Sequence, residues 1–350
     1  MIYKNFNLFK LNPFSLKREE KKVIFKKYLN ELTRHHYKKS SLYKKILNGF
    51  NYKYKQSYEI DKLPFLTTNL FKEVNLKSIT SEKIFKILLS SGTSGSSRSK
   101  IYLDRENASS QRMVLSKIMT HFIGKNRLPM LIINQDIDHE KEKFDAKSAA
   151  IRGFSIFGKD HHYLLDSQNK INNQVLNKFL EKFGKNKFLI FGFTGDVYSA
   201  FFDNLESKKK IDLRNGILIH GGGWKKLEDK KISNLLFKKK FLKKYNLKKI
   251  INYYGLVEQV GSIFFECPNC NVFMCSNFSD IIIRDKNFKQ LKNGEGIVQL
   301  ISLLPKSYPG HNILTEDLGE ITKCKCGFKG KCFTIKGRIK NSEVRGCSNV

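Results

Sequence analysis

The residues with the greatest chemical reach are concentrated in a few short stretches. An apolar run, Ile87-Leu88-Leu89, leads into Ser90-Ser91-Gly92-Thr93-Ser94-Gly95-Ser96-Ser97-Arg98-Ser99-Lys100. That stretch offers backbone N–H groups, hydroxyls and two cations, and its glycines let the backbone approach a polyphosphate. It does not fit the G-x-x-x-x-G-K-[ST] pattern of a Walker A loop. Seven cysteines all lie beyond residue 266: Cys267, Cys270, Cys275, Cys324, Cys326, Cys332 and Cys347. Cys267-Pro268-Asn269-Cys270 is a C-x2-C knuckle, and Cys324-Lys325-Cys326-Gly327 supplies a second pair. Two such pairs suit a closed, tetrahedral, structural Zn2+ site. No thioredoxin-like βαβ pattern surrounds the knuckle, which argues against a redox pair.

Several elements must position these residues. With 350 residues, 40% of them hydrophobic and 12% aromatic, the chain can bury a full core and is not wholesale disordered. Apolar residues at helical spacing (Val23, Ile24, Tyr28, Leu29, Leu32) mark 15–47 as helical, after a break at Asn12-Pro13. From residue 84 the texture alternates. Strands are expected at 87–89, 101–103, 129–134, 188–193, 217–219 and 250–251. Helices are expected from Asp104 to about Phe122, over 173–183, after Asp196, and as a Lys-rich stretch over about 226–245. Such alternation predicts an α/β domain with a largely parallel central sheet flanked by helices. Beyond Gly261 the pattern is all-β. The expected organisation is a helical segment over 1–83, an α/β core over 84–260, and a β-rich part with the cysteines over 261–350.

The net charge of +33 would ordinarily suggest nucleic acid or an anionic membrane. Its lysines are spread from Lys4 to Lys340, however, and Lys, Asn, Ile and Phe are abundant together, as AT-rich coding produces. No helix-turn-helix, ribonucleoprotein or finger pattern accompanies the charge, so no specific nucleic-acid partner is expected. The most apolar stretch, Phe188 to Phe202, is interrupted by Asp196, and residues 1–22 lack a secretory pattern. A cytoplasmic protein with reduced thiols and no transmembrane segment is expected.

The Ser/Gly stretch resembles the phosphate loop of the adenylate-forming superfamily of acyl-CoA synthetases and luciferases. Four further segments follow in that superfamily's order: Gly221-Gly222-Gly223-Trp224-Lys225, Tyr254-Gly255-Leu256-Val257-Glu258, Thr315-Glu316-Asp317-Leu318-Gly319 and Gly337-Arg338. Within it, the chain is most similar to the LuxE group, the acyl-protein synthetases. That likeness rests on His220-Gly221-Gly222-Gly223-Trp224-Lys225, Ser307-Tyr308-Pro309-Gly310-His311, Leu314 to Gly319, and Gly337-Arg338-Ile339 running to Ser342-Glu343-Val344-Arg345-Gly346-Cys347. The resemblance implies the superfamily's large-domain fold, with ATP and Mg2+ as cofactors. It implies that Ser91, Gly92, Thr93, Ser94 and Gly95, with Lys100 or Arg98, meet the phosphates. Gly222 and Gly223 would turn against the adenine, and Tyr254, with Gly255, would lie along it or serve as core. Glu258 would hold Mg2+, a hard cation suited to carboxylate oxygen. Asp317 would take the ribose hydroxyls, with Arg338 beside it. Relatives also place a metal ligand at about the offset of Cys275, which makes it an alternative to Cys270.

Adenylate-forming ligases usually carry a small, mobile C-terminal domain. Here the sequence stops twelve residues after Arg338, so that domain is expected to be absent, as in LuxE-type proteins. The resemblance then implies a terminal acyl acceptor, Cys347, whose thiolate the nearby Arg345 would favour. The implied substrate is a carboxylic acid, a fatty acid in the family, and the implied partner is an acyl reductase or another acyl-acceptor protein. Two other readings stand beside this one. One is an acyl- or aryl-CoA ligase working with a separate small domain; the other is a basic, zinc-stapled protein that binds nucleic acid or a membrane surface.

Overall fold

The computed structural model of the chain describes residues 8–90, 98–136, 146–203 and 211–339. The first part carries helices α1 (Arg18–Lys39), α2 (Ser41–Gly49) and α3 (Leu70–Glu73), with a short strand β1 (Leu66–Thr67) before α3. A hairpin of β2 (Lys86–Leu89) and β3 (Lys100–Leu103) follows, then α4 (Arg105–Ile123). Next come β4 (Leu128–Ile132), α5 (Ala146–Ser155), β5 (Gly158–Tyr163), α6 (Asn173–Phe183), β6 (Phe188–Phe193) and α7 (Thr194–Tyr198). They lead to β7 (Gly216–Gly221), α8 (Asn234–Tyr245) and β8 (Lys249–Gly255). The last part is all strand: β9 (Ile263–Glu266), β10 (Phe273–Met274), β11 (Ser279–Arg284), β12 (Gln290–Leu291), β13 (Glu295–Ser302), β14 (Asn312–Thr322) and β15 (Cys332–Arg338).

These elements divide between two compact units, each discontinuous in sequence. One is formed by Met1–Ile118, Gly255–Phe264 and Val272–Val350, the other by Met119–Tyr254 and Phe265–Asn271.

The second unit is the parallel α/β layer that the alternation predicts. Its strands run in the order β8-β7-β6-β4-β5, and every pairing is parallel. All six residues of β6 and all six of β7 are buried, as befits strands covered on both faces. Helix α6 begins where the sequence says it should, because Asn172 accepts hydrogen bonds from the N–H groups of Gln174 and Val175 at 3.1 and 3.2 Å. The expected Lys-rich helix is shorter than 226–245. A 3-10 segment, Lys225–Lys230, precedes it, and Ser233 caps α8 by accepting from Leu236 N–H at 3.2 Å. Strand β5 escapes the hydrophobic pattern because it lies at the sheet edge, where Lys159, Asp160 and His161 face water. The core beneath the sheet is aromatic: Phe179, Phe188, Phe237 and Phe241 are all essentially inaccessible.

The first unit carries an antiparallel sheet, in the order β12-β11-β13-β14-β15-β10, and β1 adds to β14 in parallel. Its helices form as their caps dictate. Lys17 N–H donates to Glu20 at 3.0 Å before α1, Ser40 separates α1 from α2, and Asp104 accepts from Asn107 N–H at 2.8 Å to start α4. Helix α1 lies against the 305–311 segment through buried polar groups. His36 bonds Ser78 Oγ at 2.8 Å and the Pro305 carbonyl at 3.1 Å, and His311 bonds Thr33 at 2.9 Å. Among the described residues no helix is long and apolar enough to cross a membrane.

Candidate nucleotide and acyl-transfer site

Ser91, Gly92, Thr93, Ser94, Gly95 and Cys347 lie outside the described residues; the two residues flanking the loop, Ser90 and Ser99, do not. Past the last register pair of the hairpin, Leu89 with Lys100, the chain stays tied together. Ser99 N–H donates to Ser90 Oγ at 2.9 Å, and Ser90 N–H donates to the Ser99 carbonyl at 3.1 Å. Arg98 and Lys100 are exposed while Ser99 between them is fully buried, so the strand alternation turns both cations outward and the hydroxyl inward.

The buried Ser99 hydroxyl meets Glu258. Its Oγ donates to Glu258 Oε1 at 2.7 Å, and Glu258 itself is only 6% exposed. The Ser307-Tyr308-Pro309-Gly310-His311 segment supports the same turn from behind. Tyr308 OH accepts from Val260 N–H at 2.8 Å, and a Cβ at Gly310 would stand 2.8 Å from the Glu258 carbonyl oxygen. Only glycine fits there. Asn107 fixes the segment in turn: its Oδ1 accepts from the N–H groups of Lys306 and Ser307, and its Nδ2 donates to the Leu304 carbonyl. Burial raises the Tyr308 phenol well above the ordinary tyrosine range, so it stays protonated.

Asp317 and Arg338 occupy paired positions on β14 and β15. Arg338 Nε donates to Asp317 Oδ1 at 3.3 Å; the arginine side chain is 72% exposed and the carboxylate nearly buried. So exposed an ion pair adds at most about 1 kcal/mol, so its effect is to orient the aspartate rather than to hold the fold. Thr315 Oγ1 donates to the Val298 carbonyl at 2.7 Å and accepts from Asp317 N–H at 3.0 Å, fixing the backbone that carries the carboxylate.

In the second unit the glycine turn leaves β7. Gly222 and Gly223 have φ values of +80° and +69°, in the left-handed region that favours glycine. A Cβ at Gly221 would stand 2.5 Å from the Tyr253 carbonyl oxygen. Thr194 Oγ1 donates to the Gly221 carbonyl at 3.1 Å, which commits its only proton. It therefore accepts from His220 Nδ1, 3.0 Å away, and His220 is the Nδ1–H tautomer. Burial pushes His220 down to about 3, so it is neutral, and its ring stacks on Phe237 at 4.6 Å. Trp224 is core, edge-on to Tyr198 at 5.0 Å. Tyr253 packs against Phe154 and Phe191, while Tyr254, on the opposite strand face, and Gly255 remain partly accessible.

Four of the cysteines fall at tight turns. Cys270 N–H and Asn271 N–H both donate to the Cys267 carbonyl, at 3.3 and 3.1 Å, and Asn271 takes a φ of 56°. Cys324 and Cys326 follow β14 in a turn that ends at Gly327, with φ of +81°. Cys275 is differently placed. It is buried beside Asp280, and burial pushes its thiol up to about 12, whereas Lys21 and Lys331 hold Asp280 down to about 2.

The sequence singled out Glu258, Asp317, Arg338 and the glycine turn, but not Ser99, Thr194 or Asn107. The signal available for Ser99 was its place between two cations at the start of an alternating strand.

The acyl-protein synthetase family model, LuxE, matches residues 4–350. The chain belongs to that family. It is similar to the long-chain-fatty-acid–luciferin-component ligase of Aliivibrio fischeri, with 22% identity over 365 residues, 97% of this chain and 91% of that protein. Among solved structures it resembles 2-hydroxyisobutyryl-CoA ligase. The open conformation of that enzyme, with 2-HIB-AMP and CoA, gives a TM-score of 0.72 at 12% identity, covering 94% of this chain and 77% of that one. Its postadenylation state gives 0.72 over 96% and 73%, also at 12% identity. At that identity the likeness is one of fold, and the fold is that of the adenylate-forming ligases. As a member of this family the chain is an ATP-dependent ligase that activates acyl groups.

Proposed function

We propose that the chain joins a fatty carboxylate to AMP and then passes the acyl group to a cysteine thiol, Cys347. The observation that carries this reading is Glu258, a nearly buried carboxylate held by the Ser99 hydroxyl at the neck of the Ser/Gly loop. A carboxylate oxygen attacks the α-phosphorus of ATP, the bond to pyrophosphate breaks, and an acyl-adenylate forms. A thiolate then attacks the acyl carbonyl, AMP leaves, and a thioester remains. In this scheme the loop and Lys100 bind the phosphates, Gly222, Gly223 and Tyr254 border the adenine, and Asp317, oriented by Arg338, takes the ribose. Mg2+ offsets the charge of the phosphates, and the hard oxygen donor of Glu258 suits it. The thioester would be consumed by a partner protein that reduces or accepts the acyl group.

The same reading includes a structural Zn2+ on Cys267, Cys270, Cys324 and Cys326. Supporting it, each pair sits in a tight backbone turn, and two such pairs supply the four thiolates of a closed site.

Pyrophosphate release over a panel of carboxylic acids, followed by mass spectrometry of the protein, tests the function. Release with long-chain acids, an acyl adduct on Cys347, and a loss of at least about tenfold in Asp317→Ala are expected. No release with any acid overturns the proposal. Acyl-CoA formed without an adduct would favour a CoA ligase working with a separate small domain.

A further inference from the structure

We propose that Ser99 is a positioning residue for Glu258, setting the direction in which that carboxylate presents itself to the cation accompanying ATP. The inference rests on the assignment of Glu258 made above. The Ser99 side chain is fully buried and its Oγ–H has one acceptor, Glu258 Oε1, at 2.7 Å. That length suits a charge-assisted O–H···O− bond, about twice as strong as a neutral one. Ser99 is itself fixed: its N–H is taken by Ser90 Oγ at 2.9 Å and its carbonyl by Ser90 N–H at 3.1 Å. On the other side, the Tyr308 phenol holds Val260 N–H, and Gly310 leaves room for the Glu258 carbonyl. With its backbone wedged and one oxygen pinned, the carboxylate cannot rotate about its terminal bond without breaking the serine contact. Its second oxygen then keeps one direction. The hydroxyl thus does for Glu258 what outer-shell partners do for metal ligands generally.

The test is the Mg2+ dependence of pyrophosphate release at fixed ATP and acid. Ser99→Ala is expected to raise the Mg2+ half-saturation concentration about tenfold, with the KM for the acid unchanged and the melting temperature close to wild type. Ser99→Thr, which keeps the hydroxyl, should return the half-saturation to near the wild-type value. Should Ser99→Ala fail to fold, Ser90→Ala replaces it. That change removes the acceptor of Ser99 N–H, and a smaller rise of about threefold is expected. An unchanged Mg2+ half-saturation in the alanine variant, alongside a raised one in Glu258→Gln, overturns the role of Ser99 and leaves the assignment of Glu258 standing. A Glu258→Gln variant with unaltered Mg2+ dependence overturns both. A Ser99→Ala variant whose acid KM rises in step with its Mg2+ requirement and whose melting temperature falls also overturns the proposal, because it marks a purely structural serine.

Discussion

Gly222 and Gly223 share a backbone conformation but not a surrounding. Both hold positive φ, which costs an L-residue about 1–2 kcal/mol. A Cβ on Gly222 would in addition stand 2.7 Å from Phe193 Cδ1, whereas one on Gly223 meets nothing within 4 Å. Gly222→Ala should therefore lose about 2–4 kcal/mol of stability and Gly223→Ala about 1–2, as read from urea unfolding. Equal losses would mean that Phe193 simply moves aside. The side-chain accounting is equally local. A threonine hydroxyl has one proton, so the Thr194 bond to the Gly221 carbonyl decides the tautomer of His220.

At the scale of elements, the two cysteine turns are each shaped by backbone chemistry, one by the Cys267 carbonyl accepting two N–H groups and the other by Gly327. A thiol must lose its proton to bind zinc. Cys275, pushed up to about 12 beside Asp280, is poorly suited to that. Under the proposed zinc assignment, Cys270→Ser is accordingly expected to lose metal and several degrees of melting temperature, while Cys275→Ser keeps it. Metal content by mass spectrometry decides this, and an unchanged zinc content in Cys270→Ser would sink the four-cysteine assignment. The helices follow similar logic. Sequence periodicity ran the Lys-rich helix through 226–245, but a serine side chain competes for backbone N–H groups, and Ser233 restarts the helix at Asn234.

For the whole molecule, buried histidines set the response to acid. His220 and His311 are both pushed down to about 3 by burial, against an ordinary value of 6.5, and burial holds His36 well below that value too. Each is neutral in the folded protein, so below pH 6.5 only the unfolded chain takes up their protons. Their contribution is complete above 6.5 and is lost as the pH falls towards 3, at about 1.4 kcal/mol per unit for each ring. Asp280, held down to about 2, adds a second loss below its unfolded value, between about 4 and 2. Unfolding free energy is thus expected to fall by about 4 kcal/mol between pH 7.5 and 5.5, and by about two thirds as much in His311→Gln. Urea titrations across that range measure it, and a flat profile in the wild type would contradict the burial argument. The charge of +33 needs no such site; its lysines are spread over the chain and only a few are aimed at phosphates in the proposed scheme.

Local chemistry in the chain determined the parallel layer, the bounds of α6 and β6, and the order of the motifs. An apolar run, a capping asparagine or a glycine at positive φ acts on its own neighbours. The resemblance of their motifs to the adenylate-forming superfamily, not periodicity, marked Glu258, Asp317 and Arg338 as candidates, and it did not show what holds them. Ser99 and Glu258 are 159 residues apart in sequence, and Thr33 and His311 are 278 apart. No local pattern records such a pair, because a hydroxyl finds its acceptor only when burial has removed water as the alternative. The tertiary structure alone decided which serine faces the carboxylate, which tautomer His220 adopts, and how Cys275 differs from its neighbours.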